Sequence, residues 1–340
     1  MCMGVAAGAY ILTLFAGYTG DKENLGKCEQ VYFRAKVIFG LNALVGRTLQ
    51  SGSAVGPWNS SNAESFICYT VRKNYSIAGW EFGNELCGSG VGANVSADQY
   101  ASDIAALRNI FHDVYRGIRH KPLIIAPGGF YDANWFQEFV NKSGKSVDVV
   151  SHHIYNLGAG IIHQKGILLY YFILHTGVDE HLIERILDPS YLDGVASTFS
   201  GLKNILQKSA TKAKAWVGEA GGAYNNGHHL VSDAFVYSFW YLDQLGMSTV
   251  YDTRTYCRQS LVGGNYGLLN TSTFVPNPDY YRYQILNFIV EGCAACYCGL
   301  SHFSFQVLAD RSPGLLDFHL DLVSLEAATK DNIEDDDNED

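Results

Sequence analysis

Short apolar runs of strand length alternate with amphipathic stretches through most of the chain, and this alternation limits the possible folds more than any other feature. The first run, Val37–Leu44, is mostly apolar, as expected of a parallel strand buried on both faces. Six strands are predicted, over residues 37–44, 76–82, 123–127, 147–155, 214–219 and 248–256. Helices are predicted over residues 65–72, 96–115, 133–141, 192–207 and 231–245. The pattern predicts a parallel α/β fold of the (β/α)8 barrel type that is two strands short.

Two of the predicted strands end at glutamates, Glu85 and Glu219. A single Asn-Glu pair such as Asn84-Glu85 is more often a surface turn than a catalytic group. A second glutamate in the same setting changes that interpretation, because the carboxyl ends of barrel strands open onto one mouth. Paired carboxylates there suit glycoside hydrolysis, in which one is the general acid and the other the nucleophile. Asn84 would then be placed to bind the sugar 2-hydroxyl.

Composition excludes several other classes of protein. Hydrophobic residues make up 47% of the chain and charged residues 17%, which is typical of a globular protein. The net charge of −10 owes much to the acidic run Asp331–Asp340, which we predict to be a disordered tail. Without a basic cluster among aromatic residues, nucleic-acid binding has little support. The run Cys293-Ala-Ala-Cys296-Tyr-Cys298 lacks a second ligand pair, so we predict no metal site.

Glycosylation sequons favour the secretory pathway. Their density is high for a chain of 340 residues. The start of the chain, Met1–Gly20, is apolar but lacks the basic segment of a signal peptide, so we do not predict a working signal there. The candidate acceptors are Asn59, Asn74, Asn94, Asn141 and Asn270.

Two stretches resemble the acid/base and nucleophile motifs of the heparanase-like glycoside hydrolases, family 79, and especially their plant branch. They are Gly79-Trp-Glu-Phe-Gly-Asn-Glu-Leu86 and Trp216-Val-Gly-Glu-Ala-Gly-Gly-Ala-Tyr224. The resemblance covers residues 36–281 with one interruption. Supporting stretches are Phe39–Arg47, His152–Gly158, Ser238–Gly246 and Cys257–Gly267.

The resemblance implies a role for each candidate residue. Glu85 would be the acid/base and Glu219 the nucleophile. Tyr266 and the backbone at Asn225 and Asn226 would recognise a uronate carboxylate. Further candidates for substrate contact are Gln259 in the same subsite, Tyr224 at the end of the nucleophile motif, and His152 and His153 at the mouth. For either histidine, a purely structural role is equally compatible with the sequence.

By the same resemblance, the chain would be a retaining β-glucuronidase. Its substrate would be a polysaccharide, proteoglycan or glycoconjugate that carries glucuronic acid. The two-carboxylate mechanism requires no cofactor. The alternative is a truncated pseudoenzyme that at most binds uronate glycans, because the chain departs from the family pattern in three places.

Those departures define the predicted domain organisation. Residues 1–35 contain nothing like the Arg-Ile-Gly-Gly-Ser-Leu segment of the family's first strands, so we predict that those two strands are missing. Residues 161–177 interrupt the pattern as an insertion, which is too short to cross a bilayer but leaves peripheral membrane contact as an alternative. Residues 282–340 diverge, so the family's β-sandwich domain is expected to be absent. The partial barrel is then predicted over residues 36–281.

Overall fold

The computed structural model describes residues 2–5, 10–14, 35–159, 161–162, 177–178 and 181–281. The strands are β1 Cys2–Val5, β2 Tyr10–Leu14, β3 Ala35–Leu41, β4 Thr48–Gln50, β5 Ser53–Val55, β6 Ile77–Phe82, β7 Leu123–Phe130, β8 Val149–Ile154, β9 Gly158–Ala159, β10 Ile161–Ile162, β11 Gly177–Val178, β12 Lys214–Ala220, β13 Ala223–Tyr224 and β14 Thr255–Gln259. The helices are α1 Ser61–Arg72, α2 Ala97–Val114, α3 Ala133–Ser143, α4 Leu182–Leu187, α5 Pro189–Asp193, α6 Ala196–Lys208 and α7 Tyr237–Val250. The predicted segment 282–340, with its acidic run, lies outside the described residues.

Eight strands form a barrel in the order β1-β14-β12-β8-β7-β6-β3-β2. From β3 through β6, β7, β8 and β12 to β14, every neighbouring pair is parallel. These six correspond to the six predicted strands. The (β/α) barrel class is therefore confirmed, with six strands of the predicted parallel series where a complete barrel of this type has eight.

Two strands that the sequence did not predict close the sheet. β1 pairs in parallel with β14, and β2 pairs antiparallel with both β1 and β3. The strand edges that a barrel two strands short would expose, at β3 and β14, are therefore paired by backbone hydrogen bonds. β1 and β2 thus occupy the sheet positions that the missing strands would have left empty.

Helix α2 forms as its sequence pattern predicts. The side-chain oxygen of Ser96 accepts a hydrogen bond from the backbone N–H of Gln99, which satisfies one of the free donors at the helix start. The apolar residues of α2 face the core together, because residues three or four apart share one face of a helix. The fully or almost fully buried members of this face are Tyr100, Ile104, Leu107 and Phe111.

Two later elements differ from their predicted bounds. The predicted strand 248–256 begins only at Thr255, because α7 continues to Val250 and the hydroxyl of Ser248 donates to the carbonyl of Leu245 within it. The predicted helix 231–245 begins only at Tyr237. The segment before it is a turn in which the backbone N–H of Ser232 donates to the carbonyl of His228.

The predicted helix 192–207 is also divided. α5 ends at Asp193 and α6 begins at Ala196, with Gly194 between them. Val195, Phe199 and Leu202 are buried, and Leu206 is half-buried.

The barrel interior is filled in layers beneath the mouth. Its lower part is an apolar cluster of side chains from four strands: Ile38, Ile125, Val149 and Trp216. Trp80 and Phe82 point outward from β6 into the helical layer, so the alternating residues Gly79 and Glu81 point inward. The polar side chains of the candidate site lie above the apolar cluster, toward the carboxyl ends of the strands.

The ends of the predicted insertion lie side by side. Ile161 pairs with Val178 and Ile162 with Gly177, so β10 and β11 form a small antiparallel pair. Residues 163–176 lie outside the described residues, and membrane contact by this segment stays untested. Among the helices of the described residues, none has both the length and the apolar character needed to span a bilayer.

Candidate active site

Glu85 is fixed mainly by its backbone. After β6, Gly83 has a φ of +76°, and a Cβ there would lie 2.4 Å from the hydroxyl of Tyr100. Glu85 has a φ of +54°, a left-handed conformation that costs about 1–3 kcal/mol for a residue with a side chain. Its N–H donates to the carbonyl of Gly128 at 2.6 Å, and its carbonyl accepts from Val91 at 2.9 Å. The end of β7 and the loop after β6 therefore hold the acid/base candidate.

Glu219 is fixed by side chains. It lies in β12, beside a register shift relative to β8 that sets Glu219 opposite His153. The hydroxyl of Tyr155 donates to Glu219 Oε1 at 2.5 Å. Burial raises the pKa of the Tyr266 hydroxyl, and the neighbouring side chains of Gln259 and Tyr155 act in the opposite direction. Polar side chains therefore continue from the nucleophile candidate to the end of β14.

His153 connects the two carboxylates. Its Nδ1 lies 3.0 Å from Glu85 Oε1 and 4.0 Å from Glu219 Oε2. One oxygen of each glutamate and a ring nitrogen of the histidine all lie within 4.8 Å of one another. In retaining glycosidases the two carboxyl groups are about 5–5.5 Å apart, whereas inverting enzymes need about 6.5–9.5 Å to admit a water. The geometry therefore fits a retaining site.

The charges around His153 favour its protonated form. Burial by itself lowers the pKa of His153, but the charges of Glu219, Glu85 and Glu81, together with the hydrogen bond to Glu85, outweigh it and raise the pKa above its ordinary value. The histidine side chain is completely buried, while those of Glu85 and Glu219 are 16% and 22% exposed. A protonated imidazole at this position can stabilise negative charge on the carboxyl groups beside it.

The neighbouring His152 is not part of the mouth. It is completely buried and packs edge-on against Phe199 of α6, with ring centroids 5.5 Å apart. Burial, and then the charge of His153, lower its pKa to about 3, so it is neutral. Neither ring nitrogen has a hydrogen-bond partner within the described residues. Of the two roles that the sequence left open for His152, the structure favours the structural one.

Glu81 is a third carboxyl group that the sequence analysis missed. It lies inside the barrel beneath the mouth and is 3% exposed. The hydroxyl of Ser151 donates to its Oε1 at 3.0 Å, and Gly128 leaves the space that the carboxyl fills. Burial raises its pKa from 4.5 to about 7, although His153 and Ser151 act in the opposite direction. The alternation of Trp80 and Phe82 with Glu81 was the signal that could have placed this side chain inside the barrel.

The remaining candidates lie at the ends of β13 and β14, on the two adjoining loops that follow these strands, or on the turn before Glu85. The backbone N–H of Asn265 donates to the carbonyl of Asn226 at 2.7 Å, and this bond joins the loop after β12 to the loop that carries Tyr266. Tyr266 is 5% exposed. The side-chain oxygen Oε1 of Gln259 has no partner within the described residues. The exposed members of the predicted set are Asn84, Tyr224, Asn225 and Asn226.

The predicted glycosylation sites differ in accessibility. Asn94 is partly buried, and its side-chain oxygen accepts a hydrogen bond from Ser53. The other four are exposed: Asn59, Asn74, Asn141 and Asn270. Modification at all five stays a prediction.

The mouth would also admit a cation, since the ligand atoms of Glu85, His153 and Glu219 are so close together. The absence of a metal from the mechanism therefore stays a prediction. We interpret the trio as a catalytic carboxylate pair bridged by an imidazole, because the hydroxyl of Tyr155 already occupies one oxygen of Glu219. The run Cys293–Cys298 lies outside the described residues.

Comparison with known proteins identifies relatives of this chain. Residues 29–246 match the model of the glycosyl hydrolase family 79 N-terminal domain. Heparanase-like protein 3 of Arabidopsis thaliana is 61% identical over 275 residues, covering 79% of this chain and 48% of the relative. Baicalin-beta-D-glucuronidase of Scutellaria baicalensis is 40% identical over 262 residues, covering 73% of this chain and 46% of the relative. The chain thus spans about half the length of these relatives.

Proposed function

Because the chain belongs to glycosyl hydrolase family 79, we propose that it is a retaining β-glucuronidase that cleaves O-glycosidic bonds of glycans or glycoconjugates containing glucuronic acid. The observation that carries the proposal is the separation of Glu85 and Glu219, whose nearest oxygens lie within 4.8 Å of each other. That separation lets Glu219 attack the sugar directly, whereas an inverting enzyme needs a wider gap to hold a water molecule beside the intact substrate.

The first half of the reaction forms a glycosyl-enzyme. Glu219 Oε2 attacks the anomeric carbon while the glycosidic C–O bond breaks, and Glu85 transfers its proton to the departing oxygen. Tyr155 donates to Oε1 of Glu219, which orients the carboxylate and leaves Oε2 as the attacking atom. Removing that hydrogen bond would allow the nucleophile to rotate.

The second half releases the sugar. Glu85, now ionised, takes a proton from a water molecule, whose oxygen attacks the anomeric carbon and displaces Glu219. His153, within 3.0 Å of Glu85 Oε1, stabilises the charge that Glu85 carries between the two halves. Both carboxylates thereby return to their starting protonation states.

Recognition of the uronate would come from the loops after β12 and β14. We assign the sugar carboxylate to Tyr266 and the backbone at Asn225 and Asn226, beside Gln259, and the sugar 2-hydroxyl to Asn84. The partly buried nucleophile, the adjoining exposed backbone and the family membership support this placement. The non-catalytic alternative is not favoured, because both carboxylates and the groups that orient them are assembled.

Covalent labelling with a mechanism-based β-glucuronyl inhibitor tests the proposal. We expect the label on Glu219, located by peptide mapping, and no label in Glu219→Gln. An exposed glutamate on α1 provides the control, since Glu64→Gln should label normally. Glu85→Gln should lower kcat/KM for a weakly activated glucuronide by about 10²–10⁴-fold. Failure of the unmodified, folded protein to be labelled would overturn the proposed function.

We also propose that the protein passes through the secretory pathway, on the basis of its exposed sequons. Treatment of the protein purified from its natural source with an endoglycosidase should lower its apparent mass. An unchanged mass would contradict this proposal.

A further inference from the structure

An exposed aromatic ring stands at the mouth between the two catalytic strands. Phe130 is the last residue of β7, which lies between β6 and β8 in the barrel. Its ring centroid is 6.4 Å from that of His153 and 6.1 Å from that of Tyr155. It nevertheless remains 40% exposed. The mechanism described above gives this ring no role.

The position of the ring corresponds to the leaving-group side of the site. The proposed uronate contacts lie on the loops after β12 and β14, so the glucuronyl ring occupies that part of the mouth. Glu85 must reach the glycosidic oxygen, and it lies on the far side, after β6. The leaving group therefore extends over the ends of β6 and β7, where Phe130 is exposed.

A second apolar side chain adjoins the same place. Val91 is 59% exposed, and its backbone N–H donates to the carbonyl of Glu85. The backbone of Phe130 is tied to the same loop, because the thiol of Cys87 donates to its carbonyl. Exposed apolar side chains on the acid/base loop and on the strand bonded to it are suited to contact a bound molecule.

The charges of this surface select the kind of leaving group. The loops over residues 83–96 and 128–132 contain Glu85 and Asp132 but no lysine or arginine. A sulfated or otherwise anionic sugar would meet no cation from these loops. An uncharged planar ring could stack on Phe130 and contact Val91, and aromatic pairs contribute about 0.5–1.5 kcal/mol beyond the area that they bury.

We propose that Phe130 and Val91 form the leaving-group surface of the active site, and that this surface selects aryl β-glucuronides, whose aglycone is an uncharged aromatic alcohol. The inference rests on the proposed function and assigns it a substrate class. Phe130 acts as a specificity-determining residue, and the chemical step remains with Glu85 and Glu219.

The test compares an aryl β-glucuronide with β-glucuronyl fluoride, whose leaving group is too small to reach Phe130. We expect Phe130→Ala to lower kcat/KM for the aryl substrate by about 3–10-fold, which is the stacking contribution expressed as a rate ratio. The kcat/KM for the fluoride should stay within about twofold of the unmodified protein. Phe130→Trp should restore the aryl rate, and Tyr75→Ala, an exposed aromatic at the opposite end of β6, should change neither.

Two results would overturn the inference. Equal losses with both substrates would mean that Phe130 only supports His153 and Tyr155. Unchanged rates with both would mean that the aglycone does not touch the ring. If the unmodified protein turns over neither substrate, the proposed function itself fails, and this inference fails with it.

Discussion

Glu85 and Glu219 face each other across one mouth, yet different parts of the chain hold them. On the acid/base side, the main chain of Glu85 is bonded to Gly128 and Val91. On the nucleophile side, the carboxylate of Glu219 accepts a hydrogen bond from the hydroxyl of Tyr155. Hydrogen bonds made by the main chain of Glu85 survive most side-chain substitutions. The hydrogen bond to Glu219 is lost when the Tyr155 hydroxyl is removed. The two sides should therefore respond to mutation in different ways.

The largest loss of activity should come from removing the hydrogen bond between Tyr155 and Glu219. Tyr155→Phe removes the hydrogen bond to Glu219 while keeping the ring, and we expect kcat/KM for an aryl β-glucuronide to fall by about 10²-fold. Tyr75→Phe, at an exposed tyrosine, is the matched control. A loss of less than about threefold would mean that Glu219 does not depend on this donor.

The hydrogen bond between the backbone of Glu85 and the carbonyl of Gly128 should be broken only by a change in the backbone itself. Gly128 has a φ of +60°, and a Cβ there would lie 2.6 Å from Glu81 Oε1. We expect Gly128→Ala to displace the carbonyl that accepts from Glu85 and to lower kcat/KM by about 10-fold. Gly144→Ala controls for strain alone, because Gly144 has a φ of +53° and open space around it. Equal effects of the two substitutions on activity would contradict this account.

Glu81 lies beneath both sides, and its effect should appear as a dependence of stability on pH. The unfolded chain ionises this carboxyl near pH 4.5, but in the folded protein burial raises its pKa to about 7. Stability from this group is therefore present below pH 4.5 and is lost as the pH rises through about 7. This rise in the pKa of Glu81 corresponds to a loss of about 3 kcal/mol in the free energy of unfolding at high pH.

Replacing Glu81 by glutamine should remove that dependence. As the pH rises from 4 to 8, the unmodified protein should lose about 3 kcal/mol of its free energy of unfolding through Glu81, whereas Glu81→Gln should not. The difference between the two free energies, measured by urea denaturation at each pH, should therefore grow by about 3 kcal/mol in favour of the variant. Glu64→Gln, at a glutamate on α1, should show no such gain. Parallel pH profiles for Glu81→Gln and the unmodified protein would show that Glu81 ionises freely in the fold.

The smallest effect should come from the histidine that lies outside the mouth. His152 is neutral, buried and without hydrogen-bond partners in the described part of the chain. We expect His152→Leu to keep kcat/KM within about twofold and to leave stability unchanged or raised by about 1 kcal/mol, because a buried unpaired polar group is removed. His153→Gln provides the contrast and should lower activity by about 10-fold or more. A large loss of activity in His152→Leu would place this residue in the catalytic machinery.

The parts of the fold that the sequence predicted are those with strong local signals. The strand ends located Glu85 and Glu219, and the start of α2 at Ser96 combined a capping residue with a clear apolar stripe. Strands β1 and β2 had no such signal, because they are short and their pairing depends on partners far along the chain.

Other features depended on tertiary contacts. Apolar and aromatic residues extend on both sides of Tyr237, so periodicity alone could not locate the start of α7. The roles of Glu81, His152 and His153 followed from strand alternation, which places neighbours on opposite faces of the sheet. The bond of Tyr155 to Glu219 joins residues 64 apart in the chain, a distance over which sequence patterns carry no information.

The pairing of Ile161 with Val178 gives this chain a natural insertion point. Because both ends of the interruption are joined by backbone hydrogen bonds, lengthening or shortening the segment between them adds only a slowly growing entropy of loop closure. A foreign peptide or a reporter domain could be grafted at this position while the barrel keeps its register. The same arrangement makes the site a tolerant place for natural variation in length, where new recognition elements can arise without any change to the catalytic centre.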